Sequence, residues 1–310
     1  MQPQRLRRNF ESVAFTTAVP FTDDRSEVDT AALADNVERL YDRGARLFIP
    51  CGNTGEYYAL TDEERAAVVE THVEATGPEA TVAGGVVGNV PEVSRLASTY
   101  ADAGADAIMV MHPDHTYVHE EGLKTYYHRI CDETDLGVVL YKRGRDLPRG
   151  VIVDLSEREE VVAVKFGVAD VKEFAQTVQD ADGELTWVNG IAERYALAFA
   201  VEGASGYTTG LGNFLPRTTL ALYEAIENGH WERARTIQRS LRPLEDLRDS
   251  PGEGSTVAGG NNVPVVKYGM DLAGFRGGPV REPLVDLDSR GRERVERHYD
   301  RIEGTFGNPA

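Results

Sequence analysis

Apolar positions along the chain fall into short unbroken runs, separated by stretches where they recur every three or four residues. Eight runs stand out: 13–17, 47–51, 81–86, 107–111, 137–141, 161–166, 186–189 and 204–208. Within them apolar residues follow one another instead of alternating with polar ones, the pattern of parallel strands covered on both faces. Helical spacing fills the gaps. Leu33, Val37, Leu40 and Tyr41 share one face of a helix that should stop near Gly44. Thr61 followed by Glu64 reads as a capping box, with Gly77 expected to close that helix. Pro91 opens another, which carries Val93, Leu96, Ala97 and Tyr100 and should end at Gly104.

Regular strand–helix alternation predicts right-handed parallel crossovers. Eight such units favour an α/β fold closed as a (β/α)8 TIM barrel, with a doubly wound sheet as the alternative. Beyond Pro216 the pattern turns helical. The stretch 249–262, rich in Gly and Ser, predicts a mobile loop, with helices over 263–273 and 289–302 after it. We expect one domain: a barrel core through residue 215 and a C-terminal helical part over 216–310. Barrels of this length commonly form one unit.

Charge narrows the partners. The chain of 310 residues carries 51 acidic and 33 basic residues, a net charge of −18. Nucleic acid and anionic membranes both call for a basic surface, so neither is expected as a partner. Lysine is scarce: Lys124, Lys142, Lys165, Lys172 and Lys267 are all there are. Such an acidic, lysine-poor composition suits a protein that works in concentrated salt, as in salt-loving organisms. Cys51 and Cys131 form no disulfide framework or CxxC motif. With no signal-like segment and no run of 18 apolar residues, a cytoplasmic location is expected.

Chemistry in such a barrel gathers where strands end. Thr16 and Thr17 follow the first run, and Gly52, Asn53, Thr54, Gly55 and Glu56 follow the second. Tyr141, Lys165, Gly190, Thr208 and Thr209 lie at the ends of later runs. Lys165 follows Val161, Val162, Ala163 and Val164. Desolvation there would lower its pKa, as a lysine nucleophile needs. Spacing alone favours the plainer reading, a lysine that snorkels to water. Tyr141 could move protons or simply pack. The 52–55 turn could hold a carboxylate on its N–H groups or be only a turn. His112, His115 and His119 stand near Glu120 and Glu121 but match no zinc spacing, so no metal and no cofactor are expected.

Three segments together carry a resemblance. GNTGEYYAL (52–60) resembles the GxTGE signature of the dihydrodipicolinate synthase and N-acetylneuraminate lyase family. Leu140-Tyr141 resembles its catalytic tyrosine segment, and Val164-Lys165 its Schiff-base lysine. GPVREPLVDL (278–287) is similar to its C-terminal segment. The order and spacing fit, across nearly the whole chain. Compared with the lysine-pathway synthases, Asn53 replaces a second Thr, and His115 falls where a Tyr reaches across a dimer. Lys142 replaces an Asn, and the substrate-binding Arg has no secure match among Arg143, Arg145 and Arg149. The 5-dehydro-4-deoxyglucarate dehydratase branch is more similar. DLGVVLYKR (135–143) resembles its DLG…YNR, KFGVADV (165–171) its KDGVGDI, and Asn213-Phe214-Leu215-Pro216 its NFVP; Lys142 and Phe166 depart from it.

The resemblance implies a lyase acting on a 2-keto-3-deoxy sugar acid, foremost as a dehydratase. Lys165 would form the imine and Tyr141 would shuttle protons. Gly52, Asn53, Thr54 and Gly55 would hold the substrate carboxylate. Gly190, Thr208 and Thr209 would line the pocket, and Arg143 would bind the distal part of the acid. It also implies a homotetramer with a small-molecule 2-keto acid as its partner. The alternatives are an aldolase that releases pyruvate, a 4-hydroxy-tetrahydrodipicolinate synthase, and a barrel that senses keto acids without turnover.

The charge excess has a direct consequence. Fifty-one acidic residues against 33 basic ones repel in dilute buffer, and molar salt screens that repulsion. The melting temperature should climb between about 0.1 M and 2 M KCl, as followed by differential scanning fluorimetry. Equal melting at both concentrations would remove the basis for the salt reading.

Overall fold

The computed structural model describes residues 2–307, apart from 112, 114–116, 145 and 146. His112, His115 and Arg145 therefore lie outside the described residues. Eight parallel strands close on themselves in sequence order: β1 Val13–Phe15, β2 Leu47–Phe48, β3 Thr81–Val86, β4 Ala107–Met111, β5 Gly137–Lys142, β6 Val161–Phe166, β7 Thr186–Asn189 and β8 Gly206–Thr209. The last strand pairs with the first, Ala14 opposite Thr208 and Phe15 opposite Thr209. The fold is a TIM barrel.

The described helices are α1 Pro3–Phe10, α2 Thr30–Asp42, α3 Asp62–Glu74, α4 Val90–Asp102, α5 Glu120–Asp132, α6 Arg149–Leu155, α7 Val171–Asp180, α8 Ala196–Val201, α9 Pro216–Glu227, α10 Trp231–Asp249, α11 Asn262–Leu272 and α12 Ser289–Ile302. Among the described residues, no helix is long and apolar enough to cross a membrane.

Strand parity divides the core in two. Ala14, Leu47, Ile49, Met109, Val139, Ala163 and Val188 pack inside the barrel. Phe15, Phe48, Ile108, Val110, Leu140, Val164 and Phe166 pack outward against the helices. Successive side chains on a strand point to opposite faces, so neighbours in sequence belong to different cores, except at the β5–β6 register shift, where Val162 joins Ala163 in the interior.

Several local expectations hold. Thr61 accepts from the Glu64 N–H while Glu64 accepts from the Thr61 N–H. Gly44 and Gly104 follow α2 and α4 with φ near +100° and +90°, a conformation open to glycine. Others need correction. β1 and β2 stop sooner than the apolar runs. Thr16 and Thr17 leave the ladder to bond the Thr209 carbonyl and His72, and Cys51 turns the chain with φ +57°. β8 begins at Gly206, and β5 runs on to Lys142. Gly77 does not cap α3, which ends at Glu74 with Ala75 in the αR region; Gly77 instead leaves room for the Tyr41 ring. The sequence pattern predicts no helix before β1, yet α1 forms there. Its Leu6 and Phe10, one turn apart, join the barrel-interior core.

Gly85 ties the fold to the site. A Cβ there would run into the Cys51 carbonyl, just before the Asn53 turn. Backbone cannot yield as a flexible side chain can. Gly85→Ala should therefore cost about 1–3 kcal/mol, read as a lower urea midpoint. An unchanged midpoint would show that the close approach is not a constraint.

Candidate active site

Tyr141 and Lys165 stand opposite each other on β5 and β6. Equal parity turns both side chains into the barrel near its C-terminal rim. Tyr141 is 5% exposed and Lys165 is 4% exposed. The Lys165 Nζ lies 4.1 Å from the centre of the Tyr141 ring. Burial disfavours the ammonium, and the nearby Arg143 charge adds to this, so the Lys165 pKa falls from 10.5 to about 7. Burial likewise raises the Tyr141 pKa, with Arg143 opposing, so its hydroxyl stays a phenol near neutrality.

The turn after β2 supplies the facing groups. Asn53 Nδ2 donates to Tyr141 Oη at 3.3 Å. That bond uses an acceptor lone pair and leaves the phenol proton free to move elsewhere. Thr16 Oγ1 donates to the Thr209 carbonyl at 2.8 Å. Its single proton is then committed, so at the 3.2 Å contact between the two hydroxyls Thr54 is the donor. Asn213 clamps the ends of β1 and β8, donating to the Thr16 and Gly210 carbonyls and accepting from the Ala18 N–H.

These groups border a cavity of about 540 Å³. Of the residues singled out by sequence, Lys165, Tyr141, Asn53, Thr54, Gly190 and Thr208 line it. Gly190 is required by space: a Cβ there would sit 2.9 Å from Lys165 Cγ and 2.9 Å from the Gly167 backbone. Four expected residues are not on the wall. Thr209 pairs with outward-facing Phe15. Its hydroxyl bonds Glu193 and accepts from the Gly212 N–H. Gly52 and Gly55 shape the turn, Gly55 resting against the Thr17 carbonyl. Arg143 is exposed beside the cavity and acts on Lys165 and Tyr141 through its charge.

The neighbouring expectations also resolve. Lys142, one residue past Tyr141, faces outward and holds Glu173 at 2.9 Å and the Leu147 carbonyl at 2.8 Å. Arg149 pairs with Asp180 on the surface. His119 caps α5, accepting from the Glu121 N–H. Glu56 is fully buried, paired with Lys267 at 2.5 Å and accepting from the Arg281 N–H at 2.9 Å.

Sequence reasoning missed part of the cavity wall. Arg194 and Tyr195 follow β7, Glu245, Arg248 and Asp249 come from α10, and Asn262 opens α11. No motif marks them, because α10 reaches the cavity only through tertiary packing. Gln238 shows how it docks, donating to the Glu193 and Arg194 carbonyls at 2.8 and 3.0 Å. Ala192, also on the wall, has φ 59° and ψ −159°, a region that favours glycine. Asn189 holds it there, donating to the Ala192 carbonyl and accepting from the Ile191 N–H.

The model of the dihydrodipicolinate synthetase family matches residues 9–301. A Methylobacterium radiotolerans protein named probable 5-dehydro-4-deoxyglucarate dehydratase is 30% identical over 307 residues, covering 96% of each chain. A 4-hydroxy-tetrahydrodipicolinate synthase of Methanoculleus marisnigri is 29% identical over 295 residues, covering 93% of this chain and 98% of its own. The crystal structure of dihydrodipicolinate synthase from Oceanobacillus iheyensis superposes with a TM-score of 0.92 at 31% identity, covering 98% of this chain and all of that one.

Proposed function

The chain belongs to the dihydrodipicolinate synthetase family of Schiff-base lyases, and from that premise we propose that it dehydrates a 2-keto-3-deoxy sugar acid, in the manner of 5-dehydro-4-deoxyglucarate dehydratase. One observation carries the reading: Lys165 is buried against the Tyr141 ring with its pKa brought down to about 7. A substantial share of neutral amine is then present at working pH.

The neutral Lys165 Nζ attacks the 2-keto carbon. A C–N bond forms, the keto oxygen leaves as water, and uptake of one proton from solvent leaves the protonated imine. That imine withdraws electrons from the adjacent C3, whose proton leaves. The C4–O bond then breaks, and its hydroxyl departs as water after taking up a proton. Water finally adds to the imine carbon and releases Lys165. Tyr141 is the group we assign to the proton transfers, since Asn53 leaves its phenol proton uncommitted. The N–H groups of the 52–55 turn would hold the substrate carboxylate beside Thr54. Arg143 acts by charge at the rim rather than as a wall contact. We place the enzyme in the cytoplasm and expect a tetramer.

The synthase reading is weaker here. Asn53 occupies the position next to Tyr141 where a hydroxyl relay would run, and an amide does not pass protons as a hydroxyl does.

Two tests follow. Borohydride with pyruvate should attach three carbons to Lys165, located by peptide mapping. The trapping rate should rise with pH around a midpoint near 7, because only the free amine attacks. Arg143→Ala should move that midpoint upward, since it removes a cation that disfavours the ammonium. An adduct on another lysine would overturn the assignment. Tyr141→Phe keeps the ring but loses the phenol, so turnover of a keto-deoxy acid should drop about 10²–10⁴-fold while thermal stability holds. A near-normal kcat would leave Tyr141 a packing residue.

A further inference from the structure

The cavity has an end that the imine chemistry does not use. On the cavity that Lys165 also lines, α10 presents Glu245, Arg248 and Asp249, and α11 adds Asn262. Glu245 and Arg248 are three residues apart, so they share a helix face. Both are nearly buried, their side chains 6% and 7% exposed. Arg248 Nη1 donates to Glu245 Oε1 at 2.8 Å, and Nη2 donates to Asn262 Oδ1 at 3.0 Å. Arg194, the other guanidinium on this wall, forms ion pairs with Asp246 at 2.6 Å and Asp249 at 3.1 Å. Both wall guanidinium groups thus have carboxylate partners of their own. Behind them Glu193 is fully buried, and burial together with the Glu245 charge pushes its carboxyl well above the usual range. The Arg248 charge opposes that rise, so Glu193 adds to the acidic surroundings of this guanidinium.

Two kinds of substrate tail can be weighed against this wall. A carboxylate would meet Glu245 and Asp249, and would have to displace an ion pair to reach either arginine. Misplaced like charges are strongly penalised in such surroundings. A hydroxyl both donates and accepts. It can take a hydrogen bond from Arg248 and give one to Glu245 or Asn262 with the pair intact. We infer that the α10 wall is a hydroxyl-recognising subsite, and that the substrate is a keto-deoxy acid with one carboxylate and a neutral, hydroxylated tail; the proposed dehydration is kept, but a glucarate, with a carboxylate at each end, is disfavoured as its substrate. The inference rests on Lys165 holding the keto end. The cavity, at about 540 Å³, has room for a six-carbon acid lying between the two. Glu245 is then a specificity-determining residue, because its carboxylate neutralises Arg248 and accepts from the tail.

The test compares two six-carbon 2-keto-3-deoxy acids of equal length, one ending in a primary alcohol and the other in a carboxylate. Calorimetric affinities are measured for the full-length protein and for Glu245→Gln, a change that keeps shape and removes charge. The wild type should bind the alcohol-ended acid at least about tenfold more tightly, and Glu245→Gln should reduce that ratio about tenfold by freeing Arg248 for a carboxylate. A merely structural Glu245 would shift both acids alike and leave the ratio unchanged, which overturns the inference. So does a wild-type preference for the dicarboxylate, which decides the matter even if the variant does not fold. Pyruvate trapping in the wild type reports separately on Lys165. Tail preference without trapping would sink the Schiff-base reading and keep the subsite.

Discussion

A closed parallel ladder has no edge and two faces, and that constraint decides where every functional side chain can go. Inside and outside alternate along the strands, broken only at the β5–β6 register shift among the described residues. Tyr141 and Lys165 share a rung and a parity, so both enter the barrel. Thr208 enters with them, opposite Ala14, while Thr209 leaves with Phe15. Lys142, one step from Tyr141, is turned outward to Glu173. Two lysines on adjacent strands, one rung apart, thus meet opposite fates. Lys142 faces a carboxylate partner; Lys165 faces a ring and a neighbouring cation, and loses its proton readily.

The barrel alone would leave the cavity open on one side. Buried ionic ties bring the C-terminal part against it. Glu56, in the turn that carries Asn53 and Thr54, holds Lys267 of α11 and the backbone of Arg281. Arg281 in turn grips Glu64 at the start of α3 with both guanidinium arms, at 2.7 and 2.6 Å. Buried pairs of this kind add little net stability, but removing one partner strands the other and costs about 3–5 kcal/mol. Their effect is to fix an arrangement. The turn that faces the keto end and the helices that face the tail are locked into one register.

Much of this was legible in the chain, and what was not has physical causes. The eight strands show as unbroken apolar runs because both strand faces are buried. The caps at Thr61 and Gly104 show because local chemistry suffices to stop a helix. Parity was not legible at Thr209: where a run ends in Tyr-Thr-Thr, no alternation distinguishes the inner hydroxyl from the outer one. The wall of Arg194, Glu245 and Arg248 was invisible for another reason. A charged residue on an amphipathic helix reads as solvated unless the fold says what covers it, and Gln238 docks α10 through backbone carbonyls that carry no sequence signature. Helix α1 was hidden by its length, eight residues with only Leu6 and Phe10 buried.

The acidity of the chain and the lowered pKa of Lys165 pull in opposite directions. A net charge of −18 attracts protons and by itself would favour an ammonium. Exposed charges act through water and ions, however, and their reach is about 8 Å at physiological salt and shorter still in molar salt. Desolvation acts at contact and is not screened. Bringing a lysine from 10.5 to about 7 corresponds to roughly 5 kcal/mol against the charged form, more than a screened surface field can return. The single cation that contributes to the shift, Arg143, stands beside the cavity, close enough to matter. The same salt that would keep so acidic a surface stable therefore protects the site from it. Surface charge and site chemistry can be set independently because they work over different distances.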